Sequence, residues 1–356
     1  MPASASRPLI ALAMGDPCGI SAELTAKLLV DADVLAACDI VAIGDARVLA
    51  EGAEIAKVKP DVARWVTGAP LEASAKPVFV DAGHLDPKRV TRGVASKEGG
   101  AFAMANFRTV LRLAHAGAAD AATFTPFNKH AMKLATGDYE DEIAVITEET
   151  GAASNGREFN ILGNLWNARV TSHIPLKDVS RHLTVDSIAN ALVLTDRSLR
   201  EAGFAKPRIA VAALNPHAGE GGNFGREEID VIEPAVRAAQ ARGVTCEGPF
   251  PSDTVFVRAR RGDFDAVQTM FHDQGQIAMK LMGFEAGVTL IGGYPFPVCT
   301  PAHGTAYDIA GKGIANLGAS RNALLIAARM AKPKALSALE RGRILAGVLA
   351  GVAKAA

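Results

Sequence analysis

The sequence lacks the features that mark nucleic-acid binders, membrane proteins and disulfide scaffolds. Lysine and arginine together number 38 and so do aspartate and glutamate, so neither sign of charge dominates and no basic stripe offers a footprint for a phosphate backbone. The four cysteines, Cys18, Cys38, Cys246 and Cys299, are too few and too scattered for a disulfide framework, which points to a reducing compartment. No apolar run reaches the roughly 20 residues that a membrane span needs. The segment Met1 to Pro8 has no sustained apolar core of the signal-peptide kind. The expectation is a cytoplasmic protein with neither nucleic acid nor membrane among its partners. Acidic small molecules stay open, because a site needs only local charge.

The chain has 356 residues, 49% of them apolar, enough to bury the cores of two domains of ordinary size. Short β-like runs at Pro8–Met14, Asp39–Ile43, Val78–Asp81, Ala121–Thr125, Arg208–Leu214 and Phe264–Phe271 each precede a turn and a helical pattern. That alternation predicts βαβ units around mostly parallel sheets. The stretch Glu158–Ile174 breaks the rhythm and reads as a hairpin turning near Gly163 and Asn164, an antiparallel element in an α/β chain. Helices are expected at Gly100–Ala116, Val185–Ala202, Glu227–Gln240, Ala319–Ala331 and Pro333–Ala353, where apolar residues recur at helical spacing. The glycine- and proline-rich belt Gly283–Gly313 reads as loops. We expect a first domain over 1–128 and 308–356 and a second over 129–307, the second carrying the site.

Ligands of open α/β sheets bind beyond the carboxyl ends of strands. Three histidines satisfy that condition: His173 follows the run Ala168–Ser172, His217 follows Arg208–Leu214 through Asn215 and Pro216, and His272 follows Ala266–Phe271. With Asp253 and Asp273 as nearby carboxylates, they could hold a divalent ion, although each could equally be a hydrogen-bonded loop residue. No His-Glu-x-x-His spacing is present to decide between these readings. The segment Gly219-Glu-Gly-Gly-Asn-Phe-Gly225 invites a dinucleotide reading but has Phe224 where the third glycine of the fingerprint belongs, and Gly311–Asn316 fails likewise. No Walker-type Gly-Lys-Ser/Thr occurs, and the residues that would bind a cofactor are not identifiable from local pattern.

Six ordered segments, Met14–Ile20, Thr125–His130, Ser172–Lys177, Leu214–Glu220, Phe271–Gly275 and His303–Asp308, together resemble the 4-hydroxythreonine-4-phosphate dehydrogenase family over nearly the whole chain. The resemblance implies the isocitrate and isopropylmalate dehydrogenase type of architecture, two α/β/α domains around a cleft, with NAD or NADP bound without a Rossmann fingerprint. It implies a homodimer in which His173 and His272 of one chain and His217 of the other hold one Zn, Mg, Mn or Co ion. The expected reaction is oxidation of a 3-hydroxy acid: the metal acidifies the hydroxyl, hydride passes to nicotinamide, and carbon dioxide leaves if the carboxylate is β to the new ketone. Asp253 and Asp273 are the candidates for orienting the ligands or taking the proton, and Lys129 and Lys280 for binding carboxylate or donating a proton.

The substrate side departs from the family pattern. Glu140, Asp141 and Glu142 stand where the family has His-Thr-Glu, Thr289 replaces its substrate asparagine and Val298 its arginine, while the substrate lysine is kept as Lys280. Glu142 aligns with the family's own glutamate. Like charges 4 Å apart repel by about 4 kcal/mol at an effective dielectric near 20, so losing the arginine and adding two carboxylates leads us to expect an unphosphorylated substrate. The alternatives are a 4-hydroxythreonine-4-phosphate dehydrogenase of pyridoxine biosynthesis, a cis-dihydrodiol dehydrogenase for aromatic carboxylates, suggested by Gly292-Gly293, or a phosphate acyltransferase of similar architecture.

Overall fold

In a computed structural model, which describes residues 7–72, 74, 76–152 and 156–355, the apolar runs become the strands they predict. The strands are β1 (Leu9–Ala13), β2 (Asp39–Gly44), β3 (Ala63–Arg64), β4 (Val78–Asp81), β5 (Ala121–Phe124), β6 (Arg157–Leu162), β7 (Leu165–Arg169), β8 (Ile209–Ala212), β9 (Cys246–Phe250), β10 (Ala266–Thr269), β11 (Val288–Gly292) and β12 (Val298–Pro301). The chain divides into two compact units, 1–156 with 294–356, and 157–293.

The first unit orders its strands β3-β4-β2-β1-β5-β12, each paired parallel to the next. All residues of β1, β2 and β5 are buried, as in a sheet covered on both faces. The helix Lys97–His115 packs on this sheet and starts where Ser96 accepts a hydrogen bond from the Gly99 amide. Its fully buried Phe107 ring meets Phe124 at 4.8 Å and Phe127 at 5.1 Å, centroid to centroid. The C-terminal helix, Ala338–Ala355, begins after Pro333 because Ser337 and Glu340 form a capping box, the Ser337 amide donating to Glu340 Oε2 and the Glu340 amide to Ser337 Oγ.

The second unit orders its strands β11-β6-β7-β10-β8-β9. The expected hairpin is β6–β7, antiparallel with Leu162 opposite Leu165; β11 is antiparallel to β6, and the remaining pairs are parallel. A core of Val255, Phe256, Phe264, Val267 and Met279 seats the helices Ser252–Arg260 and His272–Gly283 against β8 and β10. The α/β class with a mostly parallel sheet is thus as predicted.

Three expectations change. Segments 129–156 and 294–307 belong to the first unit, because the helices Lys129–Thr136 and Glu142–Thr150 pack on Lys97–His115 and β12 pairs with β5. The belt Gly283–Gly313 holds two strands, β11 and β12, whose short β-branched runs are masked in sequence by glycines around β11 and prolines around β12. The helix expected at Glu227–Gln240 opens as a π-helical turn, Glu228–Ile232, before the α-helix Glu233–Ala241, since Pro234 has no N–H to donate back to Asp230. Among the described residues no helix is long and apolar enough to cross a membrane.

Truncating Phe107 to alanine removes a filled aromatic contact from the first unit and should lower its unfolding free energy by about 3–5 kcal/mol. Urea denaturation followed by circular dichroism measures this, and a loss below about 1 kcal/mol would contradict the packing described.

Candidate functional site

In the second unit the chemistry gathers at the carboxyl ends of β7, β8 and β10. His173 lies in the loop beyond β7, His217 in the loop beyond β8, and His272 opens the helix after β10. Tight packing sets that helix in place: Gly275 sits against the buried Asn167 of β7, leaving no room for a Cβ, and Asn167 Nδ2 donates to the Val267 carbonyl and to Thr269 Oγ1. Gln274 then ties the strand ends together. Its oxygen accepts from the Met270 amide at 2.7 Å, and its Nε2 donates to the Ala213 carbonyl at 2.6 Å and to Ser252 Oγ at 2.8 Å.

The rings of His173 and His272 lie 5.8 Å apart between centroids. Two imidazoles on one tetrahedral zinc, with Zn–N near 2.0–2.1 Å, have ring centroids roughly 5–6 Å apart, so the pair fits a shared cation. His272 Nδ1 bonds Asp273 Oδ1 at 2.6 Å, which leaves Nε2 as the free ring nitrogen. Among the described residues of one chain no group of three or more His, Cys, Asp or Glu is arranged to hold a metal ion. His217 is exposed instead beside a cavity of about 360 Å³ lined by Asn215, Ser252, Asp253, Phe271 and Gln274.

The glycine-rich segment after β8 is a left-handed turn rather than a phosphate loop. His217, Ala218, Gly219, Glu220 and Gly221 all have positive φ, between 40° and 75°. Each of the three non-glycine residues pays about 1–2 kcal/mol for that conformation, so neighbouring contacts must hold the turn.

A buried polar network lies behind His173. Arg169 is paired with Glu158, donates to Asn160 Oδ1 at 2.8 Å and to Ser172 Oγ at 3.1 Å, and burial lowers its pKa from the usual guanidinium value. Gln276 also donates to Asn160 Oδ1, and Asn160 Nδ2 reaches Thr289 Oγ1 at 3.5 Å, so Thr289 belongs to this network. Lys280 is exposed on the His272–Gly283 helix, and Asp253 is exposed in the first turn of Ser252–Arg260.

The other sequence candidates fall in the first unit. Asp141 caps the helix Glu142–Thr150 by accepting from the Ala144 amide at 2.8 Å, and Glu142 pairs with Lys129 at 3.5 Å. Glu140 is exposed. Val298 is fully buried in β12 opposite Ala122, so its side chain packs in the core rather than meeting a ligand. Three of the six sequence segments converge here: the Gly15 amide donates to Thr125 Oγ1, the Asp16 amide to the Pro126 carbonyl and the Ile20 amide to the Thr305 carbonyl. Tyr307 donates to Asp16 Oδ2 at 2.6 Å, and Asp16 Oδ1 accepts from the Cys18 amide. Burial raises the Asp16 pKa although both hydrogen bonds oppose it; the Cys18 thiol is pushed up to about 11, first by burial and then by Asp16.

Sequence reasoning passed over Asn160, Arg169, Ser252 and Gln274. Gln274 stands inside the segment Phe271–Gly275, where a long polar residue after a histidine was the available signal.

The family model described as pyridoxal phosphate biosynthetic protein PdxA matches residues 36–327. A Rhizobium meliloti protein, provisionally named 4-hydroxythreonine-4-phosphate dehydrogenase 2, is 60% identical over 334 residues, covering 93% of this chain and 96% of its own. A D-threonate 4-phosphate dehydrogenase of Pectobacterium atrosepticum is 35% identical over 86% of this chain and 94% of its own. The crystal structure of a 4-hydroxythreonine-4-phosphate dehydrogenase from Klebsiella pneumoniae has a TM-score of 0.79 at 34% identity, with 93% of this chain and all of that one covered.

A buried acid whose pKa is raised stabilises the fold below the usual carboxylate range and loses that stabilisation as pH climbs through the raised value. Asp16→Asn should therefore gain stability relative to the parent protein over the range in which pH rises above about 4, the usual carboxylate value. Urea midpoints across that range test this, and a difference that is flat or of opposite slope would refute it.

Proposed function

Because the chain belongs to the PdxA family and is a dehydrogenase acting on a CH–OH group, we propose that it oxidises a phosphorylated 3-hydroxy acid of the 4-carbon sugar-acid or amino-acid type, using NAD or NADP and one divalent cation. The observation that carries the reading is the His173–His272 pair with Asp273 on the far nitrogen of His272. Two imidazoles converge within one chain, and His217 of a second chain in a homodimer supplies the third ligand.

The cation, when bound, polarises the substrate hydroxyl and carboxylate, and the nicotinamide accepts hydride from the carbon bearing that hydroxyl. The residues do the rest. Asp273 fixes the His272 tautomer so that Nε2 faces outward. Asp253, beside the His217 cavity, receives the hydroxyl proton. Lys280 binds an anionic group of the substrate. Oxidation at C3 yields a β-keto acid, from which carbon dioxide can leave with its bonding electrons passing to the enolate.

The phosphorylated substrate replaces the unphosphorylated one expected from charge alone. Asp141 is engaged as a helix cap, so one of the two added carboxylates behind that argument has a structural partner, and the neighbouring Glu142 is paired with Lys129. The names of the relatives, all built on 4-phosphates, support the same choice.

Reduced nicotinamide should form from 4-hydroxythreonine 4-phosphate or D-threonate 4-phosphate with kcat/KM about 100-fold or more above the unphosphorylated acids, as expected when a charged recognition contact is lost. Equal or better use of the unphosphorylated acids would refute the substrate reading. Asp273→Asn should weaken zinc binding about 10–100-fold by titration calorimetry. A mixed dimer of His217→Ala and His272→Ala chains should regain half of the sites, and regaining none would refute the shared metal.

A further inference from the structure

The left-handed turn that carries His217 rests on a buried carboxylate. We propose that Glu228 is the positioning residue that shapes this turn and thereby presents His217 to the cation; the second half of that statement rests on the reading of His217 as a metal ligand given above. Glu228 is 1% exposed and spends both oxygens on the chain just ahead of the histidine. Its Oε1 accepts from the Leu214 amide at 2.9 Å and the Asn215 amide at 2.8 Å, and its Oε2 accepts from Asn215 Nδ2 at 2.9 Å. Asn215 Nδ2 also donates to Glu227 Oε2 at 2.7 Å.

The same cluster explains two glycines that the failed dinucleotide fingerprint left unexplained. A Cβ on Gly219 would stand 2.7 Å from Glu228 Oε2 and 3.0 Å from the Gly225 carbonyl, so the turn lies directly on the carboxylate. A Cβ on Gly225 would stand 2.5 Å from Asn215 Nδ2 and 2.7 Å from Glu227 Oε2. Both residues also have positive φ, where glycine alone is at ease. Among the described residues none hydrogen-bonds the His217 ring, and its nearest aromatic neighbour, Phe224, lies 6.2 Å away between centroids. The position of the imidazole is therefore set through the backbone, and the backbone is set by Glu228. A carboxylate suits this task because it accepts three hydrogen bonds and donates none.

Glu228→Gln preserves shape but reverses one contact. The amide oxygen still accepts from the two backbone amides, while the new NH2 faces Asn215 Nδ2. Flipping Asn215 to relieve that clash would turn its oxygen against the Glu227 carboxylate, so no arrangement satisfies both neighbours. The full-length protein, stripped of metal, is titrated with zinc in parent, Glu228→Gln and His217→Ala forms, and peptide hydrogen exchange over 213–222 is measured without metal. We expect Glu228→Gln to bind zinc at least roughly tenfold more weakly while still folded at the temperature of the titration, as seen when partners that orient a ligand are lost, and to exchange faster over 213–222. Parent-like exchange in Glu228→Gln overturns the proposal whatever the metal does. Parent-like zinc affinity in Glu228→Gln, with affinity lost in His217→Ala, also overturns it. Parent-like affinity in His217→Ala instead refutes the metal reading, and the exchange result still decides whether Glu228 holds the turn. If Glu228→Gln fails to fold, Asn215→Ala, which removes the side-chain bonds and adds no buried donor, is judged by the same two measurements.

Discussion

The second unit depends on one side chain closing the ends of β8 and β10 onto each other. Parallel strands stop at a common edge and leave their last amides and carbonyls to loops that must satisfy them without further pairing. Gln274 does this for β8 and β10 together, accepting from the Met270 amide and donating to the Ala213 carbonyl and to Ser252. An amide is suited to the position because it offers acceptor and donor at once, which neither a carboxylate nor a hydroxyl can match over that span. His272 and Asp273 precede it, Asp253 follows Ser252, and Asn215 to His217 follow Ala213. The candidate ligands and bases inherit their places from a bond network in which they take no part.

That dependence explains which residues could be read from the sequence. The three histidines were legible because an imidazole just beyond a strand is an unusual residue at a chemically significant place, and the strands themselves were legible from apolar runs such as Ile209–Ala212 and Ala266–Thr269. Gln274, Ser252 and Glu228 were not, because a polar residue gains its meaning from partners that lie 13 to 61 positions away in the chain. Val298 failed for a related reason. Alignment to a family's arginine assigns a role by position, whereas the pleat of β12 turns this side chain into the core.

The acidic segment shows how partners change the meaning of charge. Counted in sequence, Glu140 and Asp141 add two negative charges beside Glu142, the glutamate that the family also has. Asp141, however, faces the amide of Ala144 at a helix N-terminus, where a carboxylate is favoured by the exposed N–H groups, and Glu142 faces an ammonium. Exposed ion pairs of this kind contribute only about 0–1 kcal/mol, so the Lys129–Glu142 contact does little for stability. It does set the local charge, and a neutralised pair repels a phosphoryl group far less than free carboxylates would.

The two units handle strain and burial in opposite ways. In the first, segments from three distant parts of the chain meet around Asp16, whose carboxyl pKa is raised by burial while the hydrogen bond donated by the Tyr307 hydroxyl opposes that rise. The backbone there is tied by hydrogen bonds donated by the amides of Gly15, Asp16 and Ile20. In the second, a buried carboxyl side chain, Glu228, satisfies amides that the left-handed turn leaves open, and the turn in exchange keeps an otherwise disfavoured backbone. On the proposal that His217 is a ligand donated to another copy of the chain, it must project from the surface yet be placed to within a fraction of an ångström. A strained turn clamped from below meets both demands, whereas a relaxed loop would meet only the first.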